Sequence, residues 1–467
     1  MKKVPLILAT LVLLVLTAAT IDLNNLIAYG SQTHPAYITK NNTPGNNRIS
    51  DKGATLGRVL FYDKQLSVNN TIACGSCHQQ QFAFGDTATL SVGFNGGLTG
   101  RHSMRLVNAR FGNETKFFWD ERATSLENQT TQPIQNHVEM GFSNTNGDPG
   151  LDSLIRKMQT ISYYPQLFQF VYGSTEITET KIQNALAQFI RSIQSYDSKY
   201  DAGRAQVSSD NIDFPNFTTE ENEGKILFMS APAARNGGAG CNGCHSAPEF
   251  DIVPNTLNNG IIEDATDTTV FDLTNTRSPS LRDVVNTNGI PNGPFMHNGK
   301  VKSLLQVINH YNNIPAIPLN TNLDPKLLRP GGQGQSLNLT TDQKNALIAF
   351  LRTLSGTDIY TNARWSNPFD ANGNLTLIPL TTGLGQTYAS AGISVYPNPA
   401  TECITLQLPE GDFLLSIYNM KGKLMKQSTV SNNQTQLLSD LTNGLYILNI
   451  SGITTPQQFT QKLYKSN

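Results

Sequence analysis

Two five-residue stretches, CGSCH at 74–78 and CNGCH at 241–245, use four of the five cysteines in this 467-residue chain. Paired thiols two residues apart suit a disulfide, a zinc site, a thiol-redox centre or a covalently held porphyrin. One zinc site would have to join pentads 167 positions apart, whereas zinc ligands normally share one compact ribbon or knuckle. A thioredoxin-like pair would stand alone beside a βαβ unit, without an attached histidine. Covalent c-type haem accounts for all five positions. Cys74 and Cys77, and likewise Cys241 and Cys244, form thioethers to the porphyrin, while His78 and His245 ligate iron from the proximal side.

What stands opposite each histidine decides between electron transfer and chemistry. Peroxide reduction needs an open iron face, a group that moves a proton between the two oxygens, and polar neighbours for the O–O bond. It also needs a store for the second oxidising equivalent, which a second haem can provide. The stretch FFWDERATSLENQTTQPIQNHVEMGF at 117–142 offers Glu139 as acid–base group and Gln129 as its hydrogen-bonding partner. By pattern alone a carboxylate is usually a solvated surface group, and Trp119, one of two tryptophans, equally suits a packed core.

These residues need helices to hold them. Ile182, Leu186, Phe189, Ile190 and Ile193 recur on one face of an amphipathic helix expected over 181–200. Thr218 and Glu221 form a capping box ahead of Ile226, Leu227 and Phe228, and 303–311 and 342–354 add two further helices. The expected fold is mainly α, with two c-type cytochrome domains followed by a small all-β, sandwich-like domain. The first domain is placed at 48–205 and the second at 206–360, with a linker at 361–391 and the β domain at 392–467. Alternation at Ile404, Leu406 and Leu408 and the Lys421-Gly422 and Asn443-Gly444 turns predict the strands; Cys403 among them reads as a small buried apolar residue. The N-terminus, MKKVPLILATLVLLVLTAAT, has the charged, apolar and small-residue parts of a signal peptide over 1–20; an uncleaved anchor is the alternative. Residues 21–47 read as a leader with little structure of its own. A formal net charge of −1 provides no global field for nucleic acid or an anionic membrane.

The order CGSCH, GRHSMRLVN at 100–108, FFWDERA, Gln129, EMG at 139–141, CNGCH, SLRDV and PFMHNG resembles the bacterial di-haem cytochrome c peroxidases over roughly 48–358. The resemblance implies a peroxidatic first haem and a second haem that accepts electrons from a small donor protein, such as a monohaem cytochrome or a cupredoxin. It places Trp119 between the haems, Gln129 and Glu139 at the peroxide site, and implies a homodimer. Three departures stand out. Residues 79–101 contain no histidine to block the first iron, so that haem rests open. His102 replaces an asparagine that helps bind calcium, which puts calcium in doubt and favours a hydrogen-bonding histidine. Tyr311, fourteen residues after His297, occupies the position of a methionine ligand and resembles the di-haem enzymes that mature quinone cofactors. Met296 and His310 are the alternative ligands of the second iron, and simple packing is the alternative role of Tyr311.

YPNPA at 396–400, KGK at 421–423 and NGLYIL at 443–448 resemble the C-terminal sorting domain of type IX secretion, which implies export through the periplasm to the cell surface or beyond. A polymer-binding β domain is the alternative. The leading expectation is therefore an exported di-haem peroxidase with hydrogen peroxide as substrate. Its rivals are a di-haem oxidase of an organic or protein substrate and an electron conduit without catalysis.

Overall fold

The computed structural model describes residues 20–232, 237–267, 269–315, 317–380, 393–453 and 458–466. Almost all of the expected signal peptide and most of the second half of the expected linker lie outside them. Among the described residues no helix is long and apolar enough to cross a membrane. The chain divides into two compact units, one ending at Ile378 and one beginning at Pro379.

The first unit is built twice over on one plan. In its first half, α1 (Asp51–Tyr62) starts where the Ser50 hydroxyl accepts the Gly53 N–H, and α6 (Glu179–Ser192) starts on Thr178 in the same way. The intervening helices are α2 (Cys74–Cys77), α3 (Leu126–Thr130), α4 (Leu151–Thr160) and α5 (Tyr163–Tyr172). Leu56, Val59 and Leu60 of α1 pack with Ala185, Leu186 and Phe189 of α6 in the first core. In the second half, after the short α7 (Lys199–Arg204), α8 (Thr219–Met229) opens on the expected Thr218–Glu221 capping box. It packs through Leu227 and Phe228 on Ala346, Leu347 and Phe350 of α10 (Thr341–Arg352), with α9 (Leu304–Asn312) alongside.

Both crossings rest on a glycine. A methyl group on Gly57 would lie 2.0 Å from the Ala185 carbonyl oxygen, and one on Gly224 1.9 Å from that of Ala346. In each case the next residue met is a phenylalanine, with the Cβ of Phe189 at 2.7 Å and that of Phe350 at 2.9 Å. The helix axes can approach this closely only because no side chain intervenes.

The structure moves several expected limits. Helix α6 stops at Ser192 rather than reaching 200, because Ile193 turns extended to carry the chain between the cores. Ile193 belongs to the first core and Tyr200 to the second, so the passage falls before the expected boundary at 205. Asp201 is held there by Arg282 at 2.7 Å, both buried. The leader is ordered. Ile21 of β1 (Thr20–Asp22) is buried, and β1 pairs in parallel with β2 (Thr376–Ile378). Tyr29 donates to the Arg364 carbonyl at 2.5 Å, and Lys40 meets the buried Glu249 at 2.9 Å. Trp365 and Phe369 join the first core, so the segment expected as the start of the linker closes the first unit instead. Long irregular connections also make the unit less helical than the mainly α expectation: helices hold a minority of its residues.

The second unit is an all-β pair of sheets. One has the order β6 (Leu424–Val430), β5 (Phe413–Asn419), β8 (Gly444–Gly452), β9 (Gln458–Lys465); the other runs β7 (Gln434–Leu437), β4 (Cys403–Gln407), β3 (Ser394–Tyr396), and all neighbours are antiparallel. Ile404 and Leu406 point into a core with Leu415, Ile417, Leu448 and Ile450, as their alternation predicts. Cys403 is half-buried rather than buried.

Gly57→Ala and Gly224→Ala should each destabilise the first unit by about 1–3 kcal/mol, the usual cost of overpacking a close contact. Denaturant unfolding of the purified protein measures it; unchanged midpoints would show that the helices separate without penalty.

Candidate active site

The first pentad forms a single helical turn, α2, fastened at its start by the Ser76 hydroxyl, which accepts the Ala73 N–H at 3.0 Å. His78 follows directly, and its Nδ1 lies 3.3 Å from the Phe84 carbonyl oxygen. That carbonyl is aimed by a tight loop in which Phe84 donates its N–H to Gln79 at 2.9 Å and Gln79 donates to Gly85 at 2.9 Å. Ala83 and Phe84 both adopt left-handed backbone angles there, φ +53° and +58°, a conformation costly for non-glycine residues. The strain holds an acceptor on one imidazole nitrogen and leaves the other for a ligand, the usual device for orienting a metal-binding histidine.

Cys74, Cys77, His78, Gln129 and Glu139 line one cavity of about 70 Å³. A neighbouring cavity of about 290 Å³ shares His78, Gln129 and Glu139 and extends to Arg105, Arg122 and Arg277. Gln129 is placed by α3, which Glu127 ties to Arg191 of α6 at 3.1 Å. Glu139 is placed by Asn136, whose side-chain oxygen accepts the N–H groups of Val138 and Glu139 at 2.8 and 3.1 Å. Burial raises the Glu139 carboxyl above its ordinary range, opposed only by the charge of Arg122.

The second pentad opens a different cavity of about 110 Å³, lined by Cys241, Cys244, His245, Asn259 and Tyr311 among apolar side chains. Among the described residues His245 Nδ1 is buried there without a hydrogen-bond partner of good geometry, the Pro279 backbone lying beside the ring. Burial pushes the His245 imidazole down to about 4 and the four pentad thiols up to about 11 or 12, so both imidazole and thiols are held uncharged. Neutral imidazole is the form that ligates iron. The pentads occupy separate cavities, each with its own histidine, and so do not assemble one zinc site. The donor set of each cavity, two thiols and an adjacent neutral imidazole in apolar surroundings, fits a c-type haem.

The candidate ligands of the second iron separate clearly. Tyr311 and Met296 both line a cavity of about 100 Å³ beside His245. His310 is tied by Nε2 to the Asn259 carbonyl at 2.8 Å and lines neither cavity. Burial raises the Tyr311 phenol well above its ordinary value.

One stretch, His102–Arg105, lines both the first site's larger cavity and the second site's smaller one. The His102 N–H donates to the His297 carbonyl at 2.7 Å, and its ring Nδ1 lies 3.2 Å from the Thr89 carbonyl. His102 thus makes hydrogen bonds, and burial lowers it to about 4. Trp119 donates its indole N–H to the His102 carbonyl at 2.7 Å and stands edge-on to His297, ring centroids 6.4 Å apart. Beside it, Arg101 joins Asp120 at 2.6 Å to Asp272 at 2.7 Å across the two halves. The sequence reading missed Arg101, Asp272, Phe84 and Asn259; only Asp120, next to Trp119, carried a local hint.

The family model for di-haem cytochrome c peroxidase matches residues 51–208, and that for the secretion system C-terminal sorting domain matches 394–466. The methylamine utilization protein MauG of Methylorubrum extorquens is 30% identical over 328 residues, covering 67% of this chain and 80% of its own. Cytochrome-c peroxidase IdrP1 of a Pseudomonas species is 27% identical over 357 residues, 67% of this chain and 83% of its own. The crystal structure of a MauG-like protein associated with microbial copper homeostasis superposes with a TM-score of 0.57 at 26% identity, covering 72% of this chain and 98% of that one. Two haem-type cavities meeting at one tryptophan-bearing wall, and relatives matched along most of their length, lead to one conclusion: the chain belongs to the di-haem cytochrome c peroxidase family, and it carries a secretion-system sorting domain at its C-terminus.

Proposed function

We propose that the protein reduces hydrogen peroxide to water with two electrons from an external donor protein, at the cavity that holds His78, Gln129 and Glu139. The observation that carries this reading is Glu139 itself: a desolvated carboxyl beside the first proximal histidine, where a conduit would have no use for one. Cys74, Cys77 and His78 would hold a haem, which would supply the redox chemistry of the reaction.

The chain's own residues do the rest. Glu139, as carboxylate, would take the proton from one peroxide oxygen and return it to the other, which departs as water; the remaining oxygen becomes the second water with the two donor electrons and two protons from solvent. Gln129, from the same wall, offers its amide N–H groups to the oxygens and so fixes their orientation and stabilises developing negative charge. Burial of Glu139 brings its proton affinity nearer to neutral, where a group that must both accept and donate works best. Trp119 is the aromatic step across the wall between the sites, and its fixed N–H keeps the ring in one position. A second haem on Cys241, Cys244 and His245 would receive electrons from the donor, a small monohaem cytochrome or cupredoxin. The sorting domain is consistent with work outside the cytoplasm, in the periplasm or at the cell surface.

A second reading has one specific observation in its favour. Tyr311 lies in the second cavity and relatives include MauG proteins, so the same sites would serve an oxidase acting on an organic or protein substrate. The peroxide chemistry of Glu139 is common to both; the difference lies in whether electrons come from a donor protein or from the substrate oxidised.

Glu139→Gln should keep two haems per chain and lower peroxide turnover by about 10²–10⁴-fold, the range of a lost acid–base group. Retained turnover would remove Glu139 from the chemistry. The sign of the pH dependence follows from its raised proton affinity: as pH falls through that value the carboxylate fraction is lost, so the acid limb should lie above the ordinary glutamate value near 4.3. That limb should vanish in the glutamine variant. Trp119→Phe should slow electron delivery from the second haem to the first in stopped-flow reduction while leaving the first site's initial reaction with peroxide unchanged; an unaltered transfer rate would show that electrons pass elsewhere.

A further inference from the structure

Asn259 lies in the wall of the second cavity with its side-chain amide fixed at both ends. Its Oδ1 accepts the Ile261 N–H at 3.1 Å, which settles the orientation of the amide and turns Nδ2 inward. That nitrogen donates to the Tyr311 hydroxyl oxygen at 3.1 Å and approaches the Met296 sulfur at 3.3 Å. The two side chains that compete for the second iron therefore share one donor.

The loop that carries Asn259 is pinned to the helix that carries Tyr311. His310 Nε2 bonds the Asn259 carbonyl oxygen at 2.8 Å, and the next residue, Gly260, donates its N–H to Asn258 Oδ1 at 3.1 Å. This explains why His310 is not available as a ligand: it is a splint between α9 and the loop. Met296 is held in a left-handed conformation, φ +66°, so its position is also imposed by its surroundings.

Amide nitrogen can only donate, so the Tyr311 oxygen is the acceptor in this contact. Among the described residues the phenol's own proton meets no acceptor. A phenol that binds iron releases that proton to solvent, and the oxygen that remains gains most from a donor already aimed at it. A thioether is a much weaker acceptor and gains little from the same N–H. One amide thus favours the phenolate over the thioether.

Resting on the reading that Tyr311 serves the second haem, the geometry points to Asn259 as the positioning residue that selects Tyr311 over Met296 as the iron donor at the second site. It does so by donating one hydrogen bond to the phenolate and keeping the methionine sulfur on its other side. The second haem is thereby held at a low reduction potential, since phenolate stabilises ferric iron and thioether raises the potential.

Resonance Raman spectroscopy and a mediated redox titration of the full-length ferric holoprotein test this without reference to activity. The parent protein should show iron-bound phenolate vibrations, absent in Tyr311→Phe. Asn259→Leu, which lacks both N–H groups, should lose those bands and shift the second-haem potential upward. A thioether-to-iron charge-transfer band should appear in it and disappear again in Asn259→Leu combined with Met296→Leu. Asn259→Asp, which keeps the acceptor for Ile261 but offers no N–H, should lose the phenolate bands as well and replaces the leucine variant if that fails to load two haems. Phenolate bands and potential that persist in both variants would overturn the role of Asn259 while leaving Tyr311 ligation standing. A parent protein without phenolate bands would overturn the ligation itself, and the selection with it.

Discussion

The position of the two cavities relative to each other depends on a short run of backbone at His102. Its N–H donates to His297 and its carbonyl accepts from the Trp119 indole, both at 2.7 Å, so one peptide is held from the two sides at once. Each bond is worth about 1 kcal/mol net, but leaving a buried partner unpaired would cost about 1–3 kcal/mol, and that penalty is what makes the geometry specific. The carbonyl of Trp119 in turn accepts the N–H groups of Thr276 and Arg277 at 2.9 and 3.0 Å, so the tryptophan is bound by ring and backbone to both halves. Arg101 closes the same seam with a charged fork onto Asp120 and Asp272. This stretch is where the fold fixes the spacing between the two cavities.

Around that seam the two halves repeat one solution to one problem. A porphyrin needs a flat slot between a loop and a pair of helices, and the slot is deep only if the helices cross closely behind it. Gly57 and Gly224 allow that approach, each against an alanine carbonyl and each backed by a phenylalanine, in positions that the duplicated pentads share. Large aromatic groups then fill what the glycines leave: Phe61 stacks toward Phe189 at 5.2 Å in one half and Phe228 toward Phe350 at 5.2 Å in the other.

What could be read in the residues follows from range. The Thr218 capping box and the alternation at Ile404 and Leu406 are contained within a few positions, and the structure places each as expected. Helix α6 was overextended because Ile193 keeps the apolar period while leaving the helix. The mainly α expectation is met only in part for a related reason: turns at Asp264, Asp267 and Asp272, each accepting the N–H of a threonine two residues on, have no period to detect. The leader looked structureless by composition, yet Tyr29, Tyr37 and Lys40 bond to residues more than a hundred positions away. Asn259 reaches Met296 and Tyr311 across 37 and 52 positions, and Phe84 acts through its carbonyl, which any residue type possesses.

The two sites differ in the protein around the pentads, whose two cysteines and adjacent histidine are the same in both. The first cavity contains the buried carboxyl of Glu139 together with the side-chain amide of Gln129. Burial raises the proton affinity of that carboxyl, and the charge of Arg122 opposes the rise. The second contains a phenol, a thioether and an amide, and burial raises the phenol further from neutrality. None of these groups passes a proton back and forth between the oxygens of a bound peroxide. The two slots are therefore alike in their pentads and in their glycine crossings, and differ in the side chains that share each cavity with His78 and His245: a carboxyl and an amide in the first, a phenol and an amide in the second.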